Sequence, residues 1–210
     1  MYKTCHLRNH DINSRPLSRP FFAIRFAHRR AKDIVGSGNK QAVSNILWAA
    51  VKGGWEVPKL KEAVVFMDGN RFVAGRDGGP LQPSDSFSVG NLAWSCARAN
   101  LPASSLFTAI NENASDFVSS NNGVGVATTA WAFAKLDDLF WMKSRHGVPN
   151  ADFFQVVDDN MERLVDDLKL RGLSSLMFAA GSLSFEMPNL LSKVSSKLPH
   201  LKVGEDDSRR

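Results

Sequence analysis

The chain has 210 residues, 43% of them apolar and 22% charged, so it can bury a sizeable core and is not wholly disordered. No apolar run approaches the roughly 18 residues of a membrane span, which excludes a transmembrane helix. The net charge is +5, but residues 1–40 hold nine Lys/Arg against two Asp, a local +7, while the remainder nets −2; a uniformly basic nucleic-acid-binding body is excluded.

Residues 1–19 read as a basic arm or a targeting segment, rich in Arg, carrying Ser14 and Ser18, and poor in acids, as mitochondrial and plastid presequences are. Residues 20–35 follow with Arg25, Arg29, Arg30 and Lys32 beside an alanine-rich stripe, and read as the second helix of a degenerate first unit. From there a pattern repeats. Asn45-Ile-Leu-Trp48, Asn91-Leu-Ala-Trp94, Thr128-Thr-Ala-Trp131 and Ser175-Leu-Met-Phe178 each place a polar residue three before a large aromatic and small residues after it. Lys52, Arg98 and Lys135 stand four residues past the aromatic, with Ser182 in the fourth unit. The anchors are 46, 37 and 47 residues apart, lengths suited to two-helix units.

After each anchor comes a proline: Pro58, Pro102, Pro149 and Pro188. Proline is tolerated in a first helical turn, where its missing N–H has no partner to lose. Each opens an apolar pattern at i, i+3, i+4 and i+7, such as Phe153, Phe154, Val157, Met161 and Leu164, and predicts one second helix per unit. Loops are predicted at 36–39, 68–86, 119–125 and 143–148, where glycine and polar residues gather. The fold class is therefore all-α: a short right-handed α-solenoid of about four helix pairs plus an N-terminal half-repeat over residues 20–202, with a polar tail at 203–210.

The elements Val126-Ala-Thr-Thr-Ala-Trp-Ala-Phe-Ala-Lys-Leu136 and Leu106-Phe-Thr-Ala-Ile110 resemble the octotricopeptide repeats and the related heptatricopeptide repeats of RAP-domain proteins. The resemblance spans residues 40–200. It implies a nuclear-encoded organellar protein, mitochondrial or alternatively chloroplast, that binds RNA, ribosomal RNA included, beside other subunits of an organellar ribonucleoprotein. No RAP domain is recognisable, so the nuclease activity tied to that domain does not carry over.

Offsets of 0, 3 and 7 share a helical face, so Asn45/Lys52, Asn91/Arg98 and Thr128/Lys135 form one candidate RNA-binding ladder. Arg25, Arg29, Arg30 and Lys32 form a second, electrostatic one. Polar residues also cap helices, and bases also complement a helix C-terminus, so both readings of the ladder stand. Trp48, Trp94, Trp131 and Phe178 are expected in the core between repeats. Trp55 and Trp141 lie outside the register and are expected to be partly exposed, and Cys96 occupies a core alanine position as an inert thiol. Asp158, Glu162 and Asp166 share a face and read as the solvated side of an amphipathic helix. Two cysteines and five scattered histidines offer no disulfide framework or zinc motif; no cofactor, metal, membrane insertion or enzymatic activity is expected. The alternative function is a protein–protein scaffold on the same fold.

Overall fold

The computed structural model describes residue 26 and residues 29–74, 81–140 and 151–197; the side chains of 137–140 and 151 are not among those described. The described residues form twelve helices and no strand. In chain order they are α1 (Ala31–Gly36), α2 (Lys40–Lys52), α3 (Pro58–Val65), α4 (Gly69–Val73), α5 (Pro83–Arg98), α6 (Ser104–Glu112), α7 (Ala114–Ser120), α8 (Gly123–Phe140), α9 (Ala151–Asp159), α10 (Met161–Asp167), α11 (Leu170–Leu183) and α12 (Pro188–Lys197).

Packing follows chain order twice over. The long helices touch in the sequence α2, α5, α8, α11, and these are the most extensive contacts in the molecule. The shorter helices pack among themselves, α1 on α3, α4 on α6, α6 and α7 on α9, and α9 and α10 on α12. The half-unit expected at residues 20–35 appears as α1, packed on α3 like a second helix; its residues 20–25, 27 and 28 lie outside the described residues.

The long helices end alike. Gly54, Asn100 and Ser184 each stand six residues past the aromatic in the left-handed region, at φ 65°, 54° and 58°. In each case the next amide, of Trp55, Leu101 or Phe185, donates back to a carbonyl of the last turn, Ala50, Cys96 or Ala180, at 2.8–2.9 Å. This closes the helix and aims an apolar side chain back toward it. Trp55 is thus in register with Leu101 and Phe185, contrary to expectation, although it is partly exposed as expected. Helix α8, with Asp137 at that position, continues to Phe140 instead.

The second helices depart from the sequence reading. The apolar pattern after Pro58 was expected to break at Gly69, and α3 does end before α4 begins there; the patterns after Pro102 and Pro149 were expected to run on, and they are broken into α6/α7 and α9/α10. Asn113 and Asn160, each eleven residues after the proline, stand at two of the breaks and donate their side-chain amides to the carbonyl four residues back, Ala109 and Val156, both at 2.8 Å. That local bond competes with the helix and turns the chain. The loop expected at 68–86 is also too long: α4 lies within it and α5 starts at Pro83. The loop expected at 119–125 contracts to 121–122, because Asn122 accepts from the Gly125 amide at 2.8 Å and starts α8 early. The segment 143–148 and Pro149 lie outside the described residues.

Phenylalanines of the second helices gather in the core around Phe133 of the long helix α8. Phe133 meets Phe107 edge-on at 4.9 Å and lies 5.0 Å from Phe153, while Phe154 stacks on Phe185 at 4.7 Å between ring centres. The long helices present small residues to their neighbours, among them Ala50, Ala93, Ala97, Ala130 and Ala179, all fully or almost fully buried.

Neighbouring units are tied at their ends. Asp158 is buried, and its carboxylate accepts from the Asn189 and Leu190 amides at 3.2 and 2.8 Å, capping α12. It is therefore a structural cap and not part of a solvated face, unlike Glu162 and Asp166, which are exposed. One unit earlier Asn111 accepts from the Phe153 amide at 3.0 Å. Arg163 donates to the Val118 carbonyl in the last turn of α7 and to that of Asn121 just past it, and Lys197 donates to that of Val165 near the end of α10.

Candidate nucleic-acid interface

The ladder residues lie on one side of the long helices. Asn45, Asn91, Thr128 and Ser175 sit in helix interiors, so none serves as a cap. Stepping along each helix at 3.6-residue spacing gives four positions per unit. They are Gln41, Asn45, Trp48 and Lys52 on α2; Phe87, Asn91, Trp94 and Arg98 on α5; Val124, Thr128, Trp131 and Lys135 on α8; Arg171, Ser175, Phe178 and Ser182 on α11. All sixteen are exposed or half-buried.

The aromatic anchors belong to this face, which corrects the expectation that they fill the core. Trp48 is 43% and Phe178 47% exposed, while Trp94 and Trp131 are half-buried, Trp131 with one side against the core. The physical reason lies in the small residues around them. Alanines let adjacent helices approach closely, and that approach leaves no space for an indole between them. Phe87 and Val124, each about half exposed, extend the same surface.

The sixteen positions carry charge of one sign, and Asp137 and Asp138 follow them on α8 with side chains outside those described. Lys52, Arg98, Lys135 and Arg171 stand among the sixteen positions with no acid. The Lys52 ammonium lies 5.7 Å from the ring centre of Trp48 in its own unit and 5.4 Å from that of Trp94 in the next, so one cation bridges two aromatics. Asp85, in the first turn of α5, pairs at 3.6 Å with Lys40 and is largely buried with it. Among the exposed acids, Asp116, Asp152, Asp159, Glu162, Asp166 and Asp167 lie on the short helices, while Glu56 and Glu186 follow the long helices α2 and α11.

The polar rungs differ in chemistry. Thr128 and Ser175 donate their hydroxyl hydrogens to the carbonyls four residues back, Val124 and Arg171, at 2.7 and 2.9 Å. The Asn45 and Asn91 side-chain amides make no hydrogen bond among the described residues, leaving donor and acceptor both open.

The described N-terminal bases Arg29, Arg30 and Lys32 are not among the sixteen positions of this surface. Arg25 lies outside the described residues. Arg29, Arg30 and Lys32 are exposed, and Arg30 pairs with Asp33 at 2.5 Å. Lys32 opens onto a groove of about 360 Å³ lined by α1, α3 and the α3–α4 region, with Glu62 and Asp68 on its wall and no ladder residue. Cys96 is fully buried, and burial pushes its thiol from 9.0 up to about 12, as its position implies. Trp141 lies outside the described residues. No described helix is long and apolar enough to cross a membrane.

No protein-family profile, curated protein or solved structure matches the chain. The sequence signal for the exposed aromatics was nonetheless present: if the positions three before and four after share a solvent face, the residue between them shares it too.

Proposed function

We propose that this chain is an RNA-binding helical-repeat protein, a right-handed α-solenoid of about four helix pairs and a leading half-repeat that holds RNA along its row of long helices. The observation that carries this reading is the sixteen-position face, with four bases, no acid and four aromatics in register. A polyanion with planar bases complements that surface in both charge and shape. The resemblance to octotricopeptide and heptatricopeptide repeats supports an organellar setting, and the Arg-rich, acid-poor N-terminal segment supports the mitochondrion within it. There the chain would position RNA, ribosomal RNA included, beside other subunits of a ribonucleoprotein.

The acids gathered on the short helices favour a second reading, a scaffold whose other face docks a basic protein. Replacing Lys52, Arg98 and Lys135 together with Gln separates the two. The RNA reading expects weakened RNA binding at unchanged helix content, because Gln forms helix nearly as well as Lys or Arg. Unchanged RNA affinity in a titration of the triple variant would eliminate the ladder and leave the scaffold.

A further inference from the structure

We infer that Trp48, Trp94, Trp131 and Phe178 are base-stacking platforms and that the ligand is specifically an unpaired RNA strand with its bases splayed apart. This rests on the proposed RNA reading and adds what the basic residues alone do not specify. Long-range charge attraction acts on a duplex and a single strand alike; exposed aromatic faces act only on bases whose own faces are free.

Three observations converge on it. The aromatics recur at one position in the four long helices, and the end members leave close to half their surface in water. Exposed apolar surface gathered into a patch marks an interaction site. Lys52 lies over Trp48 and Trp94 together, so it holds positive charge where a phosphate linking two stacked bases would pass. Spacing then decides the form of the strand. Packed helices stand about 8–10 Å apart, whereas stacked nucleotides rise only about 3.4 Å. Successive bases of a duplex therefore cannot occupy successive rungs, and a strand that does occupy them must be unstacked.

The polar rungs refine the assignment. Asn45 and Asn91 offer a free donor and acceptor beside their platforms, whereas Thr128 and Ser175 have spent their hydroxyl hydrogens within the helix and can only accept. The first two rungs therefore read base edges, and the last two hold bases with little preference.

The test uses the full chain, a short unstructured RNA oligonucleotide, the same oligonucleotide made abasic, and an RNA duplex of equal length. The intact single strand is expected to quench tryptophan emission and to bind roughly tenfold or more tighter than the abasic one, which keeps the phosphates but has nothing to stack. The double variant Trp48→Ala/Trp94→Ala is expected to lose that margin while keeping its salt dependence, and Trp48→Phe/Trp94→Phe to retain most of it. Equal affinity for intact and abasic strands, or for strand and duplex, overturns the stacking assignment while leaving RNA binding in place. Failure of the unaltered chain to bind any of the three probes overturns the RNA reading itself, and the abasic comparison decides the matter even if the alanine variant does not fold.

Discussion

Phe133 and Trp131 are two residues apart on α8 and face opposite fates. Phe133 is fully buried at the meeting point of three other phenylalanine rings, and its replacement by Ala is expected to cost about 3–5 kcal/mol in denaturant unfolding. Trp131 keeps one face in water, so Trp131→Ala is expected to cost only about 1–2 kcal/mol. A larger loss at Trp131 than at Phe133 would reverse the orientation of α8. Composition alone suggested the opposite, since tryptophan is large and its neighbours are apolar; what decides is helical phase, because the stripe Val126, Ala130, Phe133 and Ala134 leaves Trp131 on the far side. Cys96 was legible from phase, standing where the first and fourth units have Ala50 and Ala180. Its thiol stays protonated in the fold to about pH 12 but ionises from about pH 9 once unfolded. Between those limits the unfolded chain binds fewer protons, so stability falls as pH rises. Cys96→Ala is expected to flatten that part of the stability–pH curve relative to the unaltered chain. Identical slopes would mean that water reaches the thiol.

At the level of elements, the helical periodicity, the starts of α3 and α12 at proline, and the repeat of the long helices could all be read from sequence. The breaks at Asn113 and Asn160 could not, because the bond that makes them, from the side-chain amide to the carbonyl four residues back, competes with a helix of good apolar pattern. Nor could Asp158, whose i, i+4 relation to Glu162 looks like a solvated stripe until the next unit's α12 is brought to it. Asp158→Ala leaves two amides at the start of α12 without their acceptor and is expected to cost about 1–2 kcal/mol. Hydrogen exchange localises the effect: faster exchange at Asn189 and Leu190 supports the cap, and unchanged exchange there removes it. Glycines mark the other close approaches between units. A β-carbon at Gly69 would stand 2.0 Å from the Ser105 carbonyl oxygen, and one at Gly123 would stand 2.4 Å from that of Leu164. Both meet backbone, which cannot swing aside, so Gly69→Ala and Gly123→Ala are each expected to destabilise by about 1–3 kcal/mol. Gly36→Ala, with nothing within 4 Å, is the control and is expected to be neutral or slightly stabilising.

At the scale of the molecule, the sixteen positions of the long-helix face hold four bases and no acid, a local excess invisible in a net charge of −2 for residues 41–210. Sequence places the basic excess in residues 1–40 and so points to an arm as the main electrostatic contact. The structure describes four of the nine bases there, Arg29, Arg30, Lys32 and Lys40. Arg30 is paired with Asp33, Lys32 shares its groove with Glu62 and Asp68, and Lys40 is committed to Asp85. The ladder bases have no acid beside them among the sixteen positions of their face. Deleting residues 1–40 would be a poor test of this, since it also removes the buried Ala31 and Val35 and the Lys40–Asp85 pair. Charge replacement keeps the fold and compares the two surfaces directly. On a single strand each neutralised phosphate contributes about 0.7 to the slope of log affinity against log salt, so Lys52, Arg98 and Lys135 changed to Gln are expected to reduce that slope by about 2. Arg25, Arg29 and Lys32 changed to Gln are expected to reduce it by less. If the second set instead removes more of the slope than the first, the strand is held by the N-terminal bases, and the long-helix face contributes stacking without the phosphate contacts assigned to it.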